Sequence, residues 1–278
     1  MSPARSEGGQ RLYSDLDVQR LSLLRRLTDR GHSIARLAEV SQEDLERTAR
    51  EEDSPRFVQT KAQGIDSGAE DFRSAALNAA RRLDGAALHA ILERAAVTLG
   101  VPDFLDDVVG RALQEIGHGW SEGTVSVAHE HLATGVFRRV LGWILQVYEV
   151  SDSAARMVVA TPPRQVHELG AMLAGAAAAA EGWNVTYLGA DLPIAEILAS
   201  ARHVNADGVA LSIVYPATDT VLVSDLEQLR GGLDSDAALL VGGYAASQDR
   251  ERLTSIGAQV VDSLDEFRAL LHRLREPA

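Results

Sequence analysis

Four short stretches carry residues that could hold a bulky ligand and a metal. In Thr161-Pro162-Pro163-Arg164-Gln165-Val166-His167-Glu168-Leu169-Gly170 an imidazole sits in a loop that runs straight into a helical pattern, so His167 could ligate a metal or cap that helix. Downstream, Leu211-Ser212-Ile213-Val214 ends an apolar run on a hydroxyl. Val241-Gly242-Gly243-Tyr244 ends another on bare backbone, which suits something bulky at close range or a simple turn. Upstream, Trp120 is followed after nine residues by Glu130-His131, an aromatic plane with an acid and an imidazole near it, or a packed Trp beside a surface pair.

The elements that must position these residues fall into three textures. Leu16, Val18, Leu21, Leu23, Leu24 and Leu27 recur at helical spacing up to a stop at Gly31, a short helix spans Ile34 to Val40, and Ser41-Gln42-Glu43-Asp44 caps a third running to Glu52. Residues 53–70, rich in Gly, Ser, Asp and Gln, read as a linker. Over 71–150 a 3.6-residue period predicts a four-helix bundle, roughly 72–82, 85–99, 102–119 and 124–149.

From Ser151 to the end, short β-branched runs alternate with helical stretches. Strands are predicted at Met157–Ala160, Val185–Leu188, Gly208–Ile213, Ala238–Val241 and Gln259–Val261, with helices near 167–182, 193–203, 220–231, 248–256 and 263–275. Five such units predict a doubly wound five-stranded parallel sheet, flavodoxin-like, whose ligands sit at the carboxyl ends of the strands. The fold class is thus all-α for the front and α/β for the back.

Composition narrows the classes further. With 278 residues and 46% hydrophobic content the chain can build real cores, and it has no cysteine, which excludes thiolate metal sites and thioether-linked chromophores. A net charge of −13 argues against a polyanion binder; only residues 1–40 are slightly basic, at +2. No apolar run is long enough to span a bilayer, and Met1 to Gly9 lacks the apolar core of a secretory signal, so the cytoplasm is the expected compartment.

His-x-x-Gly after the first strand, Ser-x-Val at the third and Gly-Gly after the fourth resemble the cobalamin-binding module of methionine synthase and the cobalamin mutases. The resemblance implies His167 as lower axial cobalt ligand, with Glu168 and Gly170 beginning the helix behind it, Ser212 and Val214 beside the nucleotide tail, and Gly242 and Gly243 lining its channel. The family usually has Asp two residues before the histidine. Gln165 stands there, and its amide oxygen is expected to accept from the other ring nitrogen with less push than a carboxylate.

Trp-x9-Glu-His ahead of that module resembles the light-sensing cobalamin receptors of the CarH type, and implies that Trp120, Glu130 and His131 cover the upper ligand. Where those receptors have a histidine after the Trp, this chain has Ser121, so the lit state is expected to take water, His118 or His129. The stretch from Gly8-Gly9-Gln10-Arg11-Leu12-Tyr13 through Arg30-Gly31-His32 resembles the second half of a MerR-type domain, without the recognition helix, so direct DNA binding is not expected.

The resemblance implies a non-enzymatic adenosylcobalamin light sensor, with photolysis altering the cap and hence self-association in a homo-oligomer, or contact with a downstream protein partner. A noncovalent bilin could accompany the cobalt cofactor. Alternatives are a corrinoid carrier of a methyltransferase and a cobalamin-dependent, light-regulated repressor.

Overall fold

The computed structural model describes residues 4–5, 11–12, 41, 55–121, 126–148, 150–151 and 153–275. The helices expected over 16–31, 34–40 and 41–52 lie outside the described residues. Near the start, β1 (Ala4–Arg5) pairs antiparallel with β2 (Arg11–Leu12).

Four helical rods make the bundle. α1 (Pro55–Arg81) is a single 27-residue helix, so the backbone is helical over most of the stretch expected to be linker. Pro55 suits the first turn of a helix, and further along Gly68 lies beside Leu99, where a Cβ would make an ordinary contact at 3.9 Å. α2 (Gly85–Leu99) starts where Asp84 accepts from the Ala87 amide at 2.9 Å, and buries Leu88, Leu92, Ala95 and Ala96 along one stripe. The third rod runs from α3 (Val101–Asp103) through a π-helical stretch, Phe104–Gly110, into α4 (Arg111–Ser121). α5 (Val127–Val147) buries Ala133, Val136, Phe137, Val140, Leu141 and Ile144.

Behind the bundle lies a five-stranded parallel sheet in the order β4-β3-β5-β6-β7, built from β3 (Arg156–Ala160), β4 (Asn184–Gly189), β5 (Gly208–Ser212), β6 (Ala238–Gly242) and β7 (Gln259–Val261). Helices α6 (Leu169–Ala180) and α11 (Leu264–Arg275) cover the bundle side, while α7 (Ile194–Val204), α8 (Thr220–Gly232), α9 (Tyr244–Gln248) and α10 (Arg250–Ser255) cover the other. The helix expected over 248–256 is α10, and α9 is a further short helix before it, separated from it by Asp249.

The alanine run has a clear purpose here. α6 is sandwiched between sheet and bundle, with Ala171, Met172, Leu173, Gly175 and Ala176 to Ala179 all buried. A Cβ on Gly175 would stand 3.1 Å from Leu145 of α5 and 3.5 Å from Val185 of β4. Small side chains let the three layers approach, and one continuous core runs from the bundle through α6 into the sheet.

Candidate functional site

The three downstream motifs converge at the carboxyl edge of the sheet, at the switch point where the chain winds outward from β3 in both directions. Ser212 and Gly242 are direct partners in the β5–β6 register. Gly170, at the start of α6, lies so close to Ser212 that a Cβ there would come 2.6 Å from the hydroxyl oxygen and 4.0 Å from a Val214 methyl. Gly170, Ser212, Val214 and Gly242 are thereby brought together.

The need for glycine at 243 is partly internal. Gly243 has φ +104°, and a Cβ would fall 2.5 Å from the Ile213 carbonyl oxygen, so the turn itself demands glycine whatever lies outside. At Gly242 the crowding is milder, 3.2 Å to a Val261 methyl.

His167 is exposed on the β3–α6 loop, with its ring edge-on to that of Tyr215 at 6.4 Å. The loop around it is tied at every side. Thr161 Oγ1 donates to the Gln165 carbonyl; the Arg164 amide donates to Asp191 at 2.6 Å; and the Arg164 guanidinium forks onto both Asp219 oxygens at 2.9 and 3.1 Å. These bonds hold Arg164 at φ +69°, a left-handed conformation that a non-glycine residue enters at a cost of about 1 kcal/mol or more.

Gln165 does not accept from His167, contrary to expectation. Its side chain is buried and points the other way: Oε1 accepts from the Val214 and Tyr215 amides at 3.0 and 3.1 Å, and Nε2 donates to the Pro216 carbonyl at 2.9 Å. Both halves of the amide are thus used to join the histidine loop to the β5–α8 loop.

Glu168 turns toward the bundle. It pairs with Arg138 of α5 at 2.6 Å and accepts from the Tyr187 hydroxyl, which burial and this carboxylate push well above the ordinary phenol range. On α5, Glu130 accepts from Thr134 at 2.7 Å and pairs with His131 at 2.6 Å. Burial works to raise the Glu130 carboxyl, but those two bonds and the charges of His131 and His167 outweigh it, leaving it below the usual carboxylate range.

His131 is largely exposed and borders an open groove of 560 Å³ between α2 and α5, shared with His89, Arg139, Gly85 and Gly135. Trp120 and Ser121 close α4, their side chains outside the described residues. His129 bonds Ser126 at 2.6 Å at the start of α5.

Sequence reasoning missed the Arg164–Asp219 fork, the Gln165 bridge and Arg138. Each joins residues far apart in the chain, and no local pattern announces such a pair.

Family models for the B12 binding domain match residues 155–270 and 73–145, and one for MerR HTH family regulatory proteins matches 1–44. Two HTH-type transcriptional repressors of Myxococcus xanthus are 28% identical to the chain: CarA over 98% of this chain and 88% of its own length, CarH over 88% and 81%. The chain thus carries both B12-binding domains behind a MerR-type segment and is similar to CarH-type regulators along nearly its whole length. Its fold is also that of the monomethylamine corrinoid protein of Methanosarcina barkeri, at TM-score 0.55 and 14% identity, covering 73% of this chain and 99% of that one.

The residues fit a corrinoid. An exposed imidazole stands on a loop tied down by Thr161, Arg164 and Gln165, and Gly170 brings bare helix backbone against the Ser212 hydroxyl at the same edge. Among the described residues no helix is long and apolar enough to cross a membrane.

Proposed function

We propose that this CarH-type chain is a non-enzymatic adenosylcobalamin light sensor of the cytoplasm, in which His167 ligates cobalt from below and the bundle closes over the upper ligand. The observation that carries the reading is the direct contact of the bundle with the residue after that histidine, Arg138 to Glu168 at 2.6 Å. Glu168, Gly170, Ser212, Val214, Gly242 and Gly243 form the slot for the cofactor, and Trp120, Glu130 and His131 cover it from the bundle. Bound adenosylcobalamin would supply a cobalt–carbon bond that visible light breaks.

The chain's own part is to hold two arrangements of the bundle close in free energy. Contacts of Trp120, Glu130 and His131 with the upper ligand favour one arrangement; without them the bundle relaxes to the other, and self-association or a partner contact changes with it. With Ser121 after the Trp, His118 or His129 at the neighbouring helix ends, or water, completes the lit state. Support for a second chromophore such as a bilin comes neither from the site nor from the relatives, and the proposal carries cobalamin alone.

A second reading, direct light-regulated repression of transcription, is favoured by the MerR-family match over 1–44 and by the similarity to the repressor CarA along nearly the whole chain. One experiment separates these from a methyltransferase carrier. Purified protein is loaded with adenosylcobalamin in the dark, and its absorption spectrum, size-exclusion profile and DNA retention are recorded before and after green light. A spectral change with altered assembly supports the sensor, and light-dependent DNA retention would make it a repressor. Tight binding with no response to light would leave the carrier.

A further inference from the structure

The bridge made by Gln165 changes what positions the histidine. In the usual arrangement a carboxylate two residues ahead would take the second ring N–H; here the side chain at that place is buried, turned away from His167, and engaged at both ends by backbone 49 to 51 residues further along the chain. What that backbone carries is Tyr215. Its ring is largely exposed, 67% accessible, and lies edge-on to the imidazole.

We infer that Gln165 and Tyr215 are the positioning residues for His167, taking the place of the carboxylate. The inference rests on the cobalamin reading above. Gln165 fixes Val214, Tyr215 and Pro216 relative to the histidine loop through three hydrogen bonds of a buried amide, so the Tyr215 backbone is set before any ligand arrives. The Arg164–Asp219 fork ties the same two loops a second time, from the solvent side.

With its backbone fixed, Tyr215 offers an aromatic wall that removes orientations from the imidazole. A carboxylate both aims a histidine and enriches it electronically; an aromatic edge aims it only. The loop therefore presents a well-directed donor without a carboxylate's electronic push, and the direction resides in a residue that sequence position alone would not connect to His167.

The test uses full-length protein whose histidine is labelled with the heavier stable nitrogen isotope, reconstituted with cob(II)alamin, and reads the axial-nitrogen splitting by electron paramagnetic resonance. The labelled histidine splits the cobalt lines into doublets and the cofactor's own base would split them into triplets, so the source of the nitrogen is read directly.

Wild type is expected to show the doublet. Tyr215→Ala, an exposed position that leaves folding intact, is expected to lose most of the doublet, with cobalamin affinity down by about tenfold, the lower end of what losing an outer-shell partner costs a metal site. Gln165→Leu is expected to do the same by freeing the β5–α8 loop, and Tyr215→Phe, which keeps the ring, is expected to match wild type. Undiminished doublets in both Tyr215→Ala and Gln165→Leu would overturn the positioning role while leaving the cobalamin reading intact. Absence of the doublet in wild type would instead overturn that reading and this inference together.

Discussion

Arg138 of α5 and Glu168, the residue that follows His167, meet at 2.6 Å across the boundary between bundle and sheet. The pair places the bundle one residue from the candidate cobalt ligand. Glu168 also accepts from Tyr187 of β4, so a single carboxylate touches all three layers of the edge: bundle, loop and sheet.

Arg138→Ala should separate coupling from stability. The arginine is 53% exposed, so solvent screens its side of the pair, and with Tyr187 still donating to Glu168 the variant should lose only about 1 kcal/mol of stability. Hydrogen exchange in the first turn of α6 should nonetheless quicken, because Glu168 is then held from the sheet side alone. Unchanged exchange there would show that the pair transmits nothing.

The space at Gly170 can be tested by addition and subtraction. Gly170→Ala puts a methyl 2.6 Å from the Ser212 oxygen, and relieving such overpacking costs about 1–3 kcal/mol. Ser212→Ala in the same chain removes the clashing atom, leaving its Cβ at 3.6 Å, so the double variant should melt nearer to wild type than Gly170→Ala does. Calorimetry on the two single variants and the double variant measures this coupling.

Gly243→Ala offers no such rescue. The neighbour is the Ile213 backbone, with its carbonyl oxygen at 2.5 Å and carbonyl carbon at 2.9 Å, and φ is +104°, so strain and clash add. A loss of about 3 kcal/mol or more in thermal or urea unfolding is expected.

Acid should loosen the histidine loop. The Asp219 carboxyl is held below its ordinary 3.8 by the Leu222 amide that it caps and by Arg164, so it favours the folded loop fully above that value and loses this effect as pH falls through its lowered one. As the pH falls beneath 3.8 and through that lowered value, the start of α8 and the Arg164 fork should open together, seen as chemical-shift changes at both. Asp219→Asn keeps a capping oxygen without the charge, and its titration should lack that acid step.

Much of this was legible in one chain. The strands announce themselves as short β-branched runs, and the order of His167, Ser212 and Gly242-Gly243 on successive strand ends places them at one edge once the sheet is parallel. Residues 55–70 misled because Gly, Ser and Asp suit loops in isolation, whereas α1 is a single 27-residue helix whose end packs in the bundle. Gln165 misled differently: its distance along the chain from His167 is correct for a partner, but which way a side chain points depends on what lies 49 residues later. Gly243 showed only its permissiveness, not the Ile213 carbonyl that makes it necessary.

The π-helical stretch Phe104–Gly110 acts as a phase shifter. Accommodating one residue more than an α-helix would turns everything after it by about 100° about the axis, so the face that α4 presents is set a full rod-length upstream of Trp120 and Ser121. Asp106, inside that stretch, is clasped at 2.6 Å by Arg268 of the last helix of the sheet domain. The angular setting of the end of the bundle that carries Trp120 is thereby latched by the last helix of the sheet domain.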